Sequence, residues 1–276
     1  MSEKIFEIKS GKALIIKSLF ECIKPYLKET NIIINNEGIK ISTADQSMVS
    51  VTYIKLWAEK FESFHCTSQK IIGIDTNLFY RTIKSANRRE TITLYMNKND
   101  EDKLGIELAD PLVGRIKDYK LPLLALEEDI YNIQTMDFPF RLNLPTVQFQ
   151  QIIKDMQIID GKVLDIQVSG HQIVFSCLDG NIDFKTSISD ISDNINMDQL
   201  TLLQQNGEDL RSVKFEKTSN TIVQGRFQLS HLLYFIKASH LCENMNLLIN
   251  NDVPLVLEYF IADIGCLKFL LAPLQN

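Results

Sequence analysis

The 276-residue sequence predicts an α+β fold made of two similar domains. The first observation behind this is an internal repeat. Residues 77–96 (NLFYRTIKSANRRETITLYM) align without a gap on residues 230–249 (SHLLYFIKASHLCENMNLLI), at an offset of 153. Ile83-Lys84 falls on Ile236-Lys237, Glu90 on Glu243 and Leu94 on Leu247. A shorter match supports it: Ile39-Lys40-Ile41-Ser42 followed by Asp45, against Ile173-Val174-Phe175-Ser176 followed by Asp179. Any two amphipathic helix–strand units look somewhat alike, but both matches together read as two copies of one unit. The second observation is that most of each half consists of short runs rich in Ile, Val, Thr, Leu and Tyr, punctuated by Asn, Gly and Asp as antiparallel turns are. The third is that helix patterns number only four and are not interleaved strand by strand, which argues against βαβ repetition.

In chain order, residues 12–27 read as a helix and 31–55 and 61–74 as strand runs. Asp75 or Thr76 caps a second helix over 76–87. Residues 90–97 and 103–121 are strands, with Asn97–Asp102 as a hairpin tip. The segment 122–138 carries Pro122 and the acidic triplet Glu127-Glu128-Asp129, with Pro139 just beyond it, and reads as an exposed connector. The organisation is therefore a first domain at 1–121, a connector at 122–138 and a second domain at 139–276. In the second domain, Thr146 caps a helix over 146–157, strands follow at 162–187 and 212–226, a fourth helix covers 228–239, and strands close the chain at 244–250 and 254–271. The 190–210 stretch, with Asp190, Asp193, Asp198, Glu208 and Asp209, reads as an acidic surface loop or edge region.

The formal net charge of −6 and a pI near 5.3 exclude a protein that grips nucleic acid over its whole surface. The distribution of charge says more than the total. Lys17 and Lys24 lie two turns apart on the first helix, Arg81 and Lys84 at i, i+3 on the second, Gln151 and Lys154 at i, i+3 on the third, and Lys237 on the fourth. Taken singly these are ordinary solvated faces. Four such faces with few acids, in an acidic chain, point to a shared basic surface.

Catalytic and ligand motifs are missing. There is no G-x-x-x-x-G-K-[ST], no G-x-G-x-x-G and no G-x-S-x-G. The four histidines have no partner at metal-ligand spacing, and His231 reads as a half-buried structural residue. The five cysteines lack C-x-x-C spacing and read as buried thiols in a reducing compartment. The expectation is a binding or structural protein with no catalytic residue, metal or cofactor. No apolar run is long enough to span a bilayer, and no signal peptide is expected from the start of the sequence.

The segment Asp252–Pro273 (DVPLVLEYFIADIGCLKFLLAP) closely resembles the end of the eukaryotic-type DNA sliding clamp family, the proliferating cell nuclear antigens. So do Gly38–Val51 (GIKISTADQSMVSV), the Phe61–Asp75 stretch and Lys117-Asp118-Tyr119. The resemblance runs from about Ile5 to Pro273 and is weakest over 185–226. It implies two clamp-type domains, each with antiparallel sheets backing two helices, and a homotrimeric ring closed head to tail. Helices line the hole and duplex DNA passes through it, contacted at its phosphates without base readout. The function implied is that of a DNA polymerase processivity factor and docking platform for replication and repair proteins in the nucleus. If the protein is virus-encoded, the place is the viral replication compartment. An ATP-dependent clamp loader is an implied partner.

Carried over position by position, the resemblance makes Lys17, Lys24, Arg81, Lys84, Arg115, Lys154 and Lys237 DNA-facing, while Gln151 and Ser230 stand where relatives commonly have Arg. It assigns subunit contacts to two edge strands, through Arg115, Ile116, Lys117 and Tyr119 on one and Asn181, Ile182 and Phe184 on the other. It assigns a partner pocket to Ala44, Met48, Val49, Val51, Tyr131, Ile133, Pro254, Leu270, Ala272 and Pro273, which receives short Gln-x-x-aliphatic-x-x-aromatic-aromatic segments. Tyr131 replaces a usual Leu, Leu270 a usual aromatic and Met48 a usual His, so an altered motif preference is expected. A ubiquitin acceptor position of many relatives falls on Gly170. Two other readings share the fold: a subunit of a heterotrimeric checkpoint clamp, and a clamp-like viral accessory or transcription factor that closes no ring.

Overall fold

A computed structural model describes residues 3–127, 131, 136–178, 182–190 and 213–275. The expected acidic stretch at 190–210, apart from Asp190, lies outside them, as do Glu128, Asp129, Ile133 and Asn181. The chain divides into two compact units. Unit 1 comprises 1–133 with 260–268, and unit 2 comprises 134–259 with 269–276. The α+β class holds, because among the described residues each unit carries two α-helices against antiparallel strands.

Unit 1 opens with β1 (Lys4–Ser10), α1 (Ala13–Ile23), β2 (Glu29–Asn35), β3 (Gly38–Ala44), β4 (Ser50–Trp57), β5 (Ser63–Cys66) and β6 (Lys70–Asp75). It continues with α2 (Thr76–Ile83), β7 (Thr91–Asn97), β8 (Asp100–Asp110) and β9 (Arg115–Pro122). Its strands form one sheet in the order β5-β1-β7-β8-β9 and a second set in the order β6-β2-β3-β4. The single strand run expected at 31–55 is three strands, broken at the Asn35–Gly38 hairpin and by the Asp45–Ser50 turn. Helix α1 is shorter than its pattern. Pro25 has no N–H to continue the ladder, so the helix stops at Ile23 with Lys24 as its C-terminal cap. Asp75 caps α2, its Oδ1 accepting from Leu78 N at 2.9 Å. Ile16, Leu19, Phe20, Phe79 and Ile83 point inward, with the Phe20 and Phe79 rings 4.2 Å apart.

Unit 2 contains β10 (Phe140–Pro145), α3 (Thr146–Ile158), β11 (Val163–Ser169), β12 (Gln172–Cys177), β13 (Phe184–Ser189) and β14 (Lys214–Lys217). These are followed by β15 (Val223–Gln228), α4 (Leu229–Phe235), a 3-10 turn over Ile236–His240, β16 (Asn244–Ile249) and β17 (Leu255–Ile261). The last strand is β18 (Gly265–Leu271), and the unit boundaries cut through both β17 and β18. Its strands run β14-β10-β16-β17 and β13-β12-β11-β15. Phe149 packs on Phe175, and Phe235 stacks on Phe269 with centroids 4.2 Å apart. The expected fourth helix over 228–239 is α-helical only to Phe235 and then tightens to 3-10. The expected strand at 212–226 is two strands in different sheets.

Thr146 is not the cap of α3. Pro145 holds that position, and Thr146 is the first helical residue. Its buried hydroxyl donates instead to a cluster of carbonyls, Ser239 O at 3.0 Å and Cys242 O at 2.9 Å. Thr76 does the same in unit 1, donating to Leu27 O and Lys28 O just beyond α1. In both units the first residue of one helix thus satisfies carbonyls just past the other, a pairing the repeat does not itself reveal.

The connector does not run free over its first half. Leu123 N donates to Asp102 O and Leu124 N to Gly73 O, each at 2.9 Å. Asn31 Nδ2 then donates to Glu127 O at 2.7 Å, and Ser42 Oγ to Tyr131 O. The segment therefore crosses β6, β2 and β3 in turn. At the first crossing a Cβ on residue 73 would lie 2.4 Å from Leu124 O, so only Gly lets the two backbones approach.

Cys22, Cys177 and Cys266 are buried and Cys66 and Cys242 half-buried. Burial pushes the Cys22 thiol up to about 12, which leaves it an inert apolar filler.

Candidate nucleic-acid interface and docking surfaces

The basic helix residues divide between the units. In unit 1, Arg81 and Lys84 are exposed, Lys84 standing at the C-terminal cap of α2 rather than within it. Lys17 is half-buried, its Nζ donating to Ala86 O at 3.4 Å. Lys24 lies over the Tyr80 ring, 3.3 Å from its centroid, and the Tyr80 hydroxyl donates to Glu21 Oε1 at 2.9 Å. That contact anchors the Lys24 ammonium and leaves less of it for an outside anion. In unit 2, Lys154 is exposed on α3 and Lys237 is exposed on the 3-10 turn, 4.8 Å from the Tyr234 ring centroid. Gln151 is exposed and its Nε2 donates to Asp155 Oδ1 at 2.6 Å. Arg88 and Arg89 add two exposed cations after α2. Helix periodicity misses them because they follow the helix, although the adjacent Arg-Arg pair is visible in the sequence.

Arg115 differs from the others. Glu90 is only 1% exposed, and its Oε1 lies 2.7 Å from Lys117 Nζ and 3.6 Å from Arg115 Nη2. Its Oε2 accepts from Asn87 N at 3.0 Å. Burial alone pushes this carboxyl up. The Lys117 ammonium, the Asn87 N–H and the Arg115 guanidinium outweigh burial and hold it below the usual carboxylate range. Arg115 is thus partly neutralised from within. The repeat partner of Glu90, Glu243, is exposed.

Among the described residues, both strands expected to carry subunit contacts are edges. β9 ends the five-stranded sheet of unit 1, and β13 ends the four-stranded sheet of unit 2. Of the assigned residues that are described, Phe184 opens β13, which runs on to Ser189, and Ile182 precedes it and is 58% exposed. On β9 the two-residue period divides the assigned side chains. Arg115, Lys117 and Tyr119 share one face, and Ile116, 63% exposed, faces the other way with Asp118 and Lys120. Ile116 and Tyr119 therefore do not form one apolar patch.

Nine of the ten pocket positions lie among the described residues, and they also split. Ala44, Met48, Val49, Val51 and Tyr131 belong to unit 1, and Pro254, Leu270, Ala272 and Pro273 to unit 2. Leu270 is 7% exposed, so its side chain offers little surface. In unit 1 the Asp45 carboxylate organises the β3–β4 turn. Its Oδ1 accepts from Val49 N at 3.0 Å and Ser50 N at 2.7 Å, and its Oδ2 accepts from Ser47 N at 3.2 Å. The turn presents Met48 outward in a left-handed conformation, φ 57. The Tyr131 hydroxyl donates to Met48 Sδ at 3.3 Å. Two of the pocket positions that the resemblance singles out, Met48 and Tyr131, are thus in contact with each other.

Gly170 sits in the two-residue turn joining β11 to β12, where Ser169 pairs with Gln172. Its φ of 56 is the left-handed value such turns need.

The family model of the proliferating cell nuclear antigen N-terminal domain matches residues 5–131, and that of the C-terminal domain matches residues 132–274. The chain is 27% identical over 274 residues to the proliferating cell nuclear antigen of Dictyostelium discoideum, covering 98% of this chain and 99% of that protein. It is 25% identical over 276 residues to the probable DNA polymerase sliding clamp 1 of Paramecium bursaria Chlorella virus 1, covering 99% and 98%.

Proposed function

Because the chain belongs to the proliferating cell nuclear antigen family and is a non-enzymatic DNA sliding clamp, we propose that it works as a homotrimeric ring closed around duplex DNA. The observation that supports the ring is that the two strands the resemblance assigns to subunit contact, β9 and β13, each end a sheet among the described residues. β9 of one copy can pair with β13 of the next, which is a heterologous contact that closes into a ring. Ile116 and Ile182, each more than half exposed, are the apolar residues this contact would cover.

The DNA-facing set is Lys17, Lys24, Arg81, Lys84, Arg115, Lys154 and Lys237, with Arg88 and Arg89 beside it. Arg81, Lys84, Lys154 and Lys237 make the leading contacts because they are exposed. Lys24 and Arg115 contribute less, since Tyr80 and Glu90 already engage them. Phosphate contacts of this kind hold the duplex without fixing a register, so the ring can move along it. With those seven cations set aside, the rest of the chain carries a formal charge of −13, which repels DNA from the outside.

Client proteins dock through short motifs at the positions the resemblance assigns, Ala44, Met48, Val49, Val51, Tyr131, Ile133, Pro254, Leu270, Ala272 and Pro273. The Met48–Tyr131 contact narrows the unit 1 side of this pocket and favours peptides with a smaller aromatic requirement. A polymerase and an ATP-dependent loader are its partners. Its place of work is the nucleus, or a viral replication compartment if a virus encodes it. The solution mass tests the ring. Three copies of 31.7 kDa give about 95 kDa, whereas a mass of 31.7 kDa at micromolar concentration would favour the ringless or heterotrimeric alternatives.

A further inference from the structure

We propose that Met48 is a site of reversible oxidation whose sulfoxide engages Tyr131 and switches the rim of the client pocket; this rests on the pocket reading above. Met48 is 65% exposed, held outward by the Asp45 turn. Met96, Met156 and Met245 are at most 2% exposed and Met136 is half-buried, so among the described residues Met48 meets an oxidant first. Sulfoxide formation follows thioether access to the oxidant.

The chemistry balances with hydrogen peroxide as the oxidant. The Met48 sulfur attacks one peroxide oxygen, the O–O bond breaks, and an S–O bond forms. Sulfur loses two electrons, the peroxide gains them, and the second oxygen leaves as water. The product oxygen accepts hydrogen bonds far better than a thioether does. Its donor is already in place, since the Tyr131 hydroxyl lies 3.3 Å from Sδ and the Tyr131 main chain is bonded to Ser42 Oγ. Oxidation therefore tightens the Tyr131–Met48 bridge. It also puts a polar oxygen where an apolar client side chain would be buried, and desolvating that oxygen opposes docking. Methionine sulfoxide reductases reverse the change.

The test uses the full chain, hydrogen peroxide and a fluorescent peptide of the form Gln-x-x-Leu-x-x-Phe-Phe. Peptide mass spectrometry should find Met48 oxidised about tenfold faster than Met156 or Met245. Peptide affinity should fall about tenfold with Met48 oxidation and return after reductase treatment. Met48→Leu should show no change on peroxide treatment, whatever its starting affinity, and Tyr131→Phe should show a smaller drop than the parent. Oxidation of Met48 no faster than that of the buried methionines overturns the proposal, and so does an oxidised protein that binds as well as the untreated one. If untreated protein binds no such peptide, the pocket reading fails, and with it the switch. The oxidation rates still decide separately whether Met48 is the preferred site.

Discussion

Replacing Glu90 by Gln removes one charge from an almost fully buried position while keeping its shape. The amide oxygen can still accept from Asn87 N, so the turn after α2 keeps its contact. What is lost is the charge-assisted attraction to Lys117 Nζ at 2.7 Å and the weaker one to Arg115 Nη2 at 3.6 Å. A hydrogen bond to a charged group contributes about 1.5–3 kcal/mol. The Lys117 and Arg115 side chains are 22% and 54% exposed and can recover water, which reduces the cost to the lower end, about 1–2 kcal/mol. For a unit of this size that lowers the melting temperature by about 3–6 °C at neutral pH. The pH dependence has a fixed sign. The folded carboxyl titrates below its unfolded value of about 4.3, so its stabilisation is complete above that value and disappears as pH falls through the folded one. The gap between parent and Glu90→Gln should therefore close below about pH 4. Thermal melts across pH, with Glu243→Gln as the exposed repeat-partner control, measure this. An equal melting temperature at pH 7, or a gap that persists unchanged to pH 3, refutes the reasoning.

Gly73→Ala forces a Cβ to 2.4 Å from Leu124 O and should cost about 1–3 kcal/mol, seen as a lower melting temperature and faster proteolysis near residues 123–131. Arg81→Glu with Lys84→Glu should cut loading and polymerase stimulation at least about tenfold and make the residual binding less salt-sensitive, with the solution mass unchanged. Ile182→Asp, on an exposed residue just before β13, should shift the solution mass toward 31.7 kDa at low concentration without lowering the melting temperature of the isolated chain.

Much of the fold is legible because its signals are local. The repeat, the two-residue alternation of the strands and the cap at Asp75 all follow from neighbouring residues. Thr146 was open to misreading because its hydroxyl serves carbonyls about ninety residues away, and a cap pattern looks the same from sequence. The connector reads as exposed from its prolines and acids, yet backbone bonds to Gly73 and side-chain bonds from Asn31 and Ser42 hold it. Only the glycine hints at that close crossing. The helix cations were legible from spacing, whereas the neutralisation of Arg115 required β9 to lie beside Glu90. The Met48–Tyr131 contact joins residues 83 apart in the chain, and nothing local in the sequence indicates it.

The central claim is that the protein holds DNA by encircling it. The direct measurement is retention on DNA of defined topology after loading by an ATP-dependent clamp loader. The protein should stay on nicked circular DNA at a salt concentration that abolishes simple electrostatic binding. It should then be lost when a single cut makes that DNA linear, and be retained again if the ends are blocked. Retention on cut DNA with open ends would contradict the account, because it would mean that the basic helices grip a site instead of lining a hole.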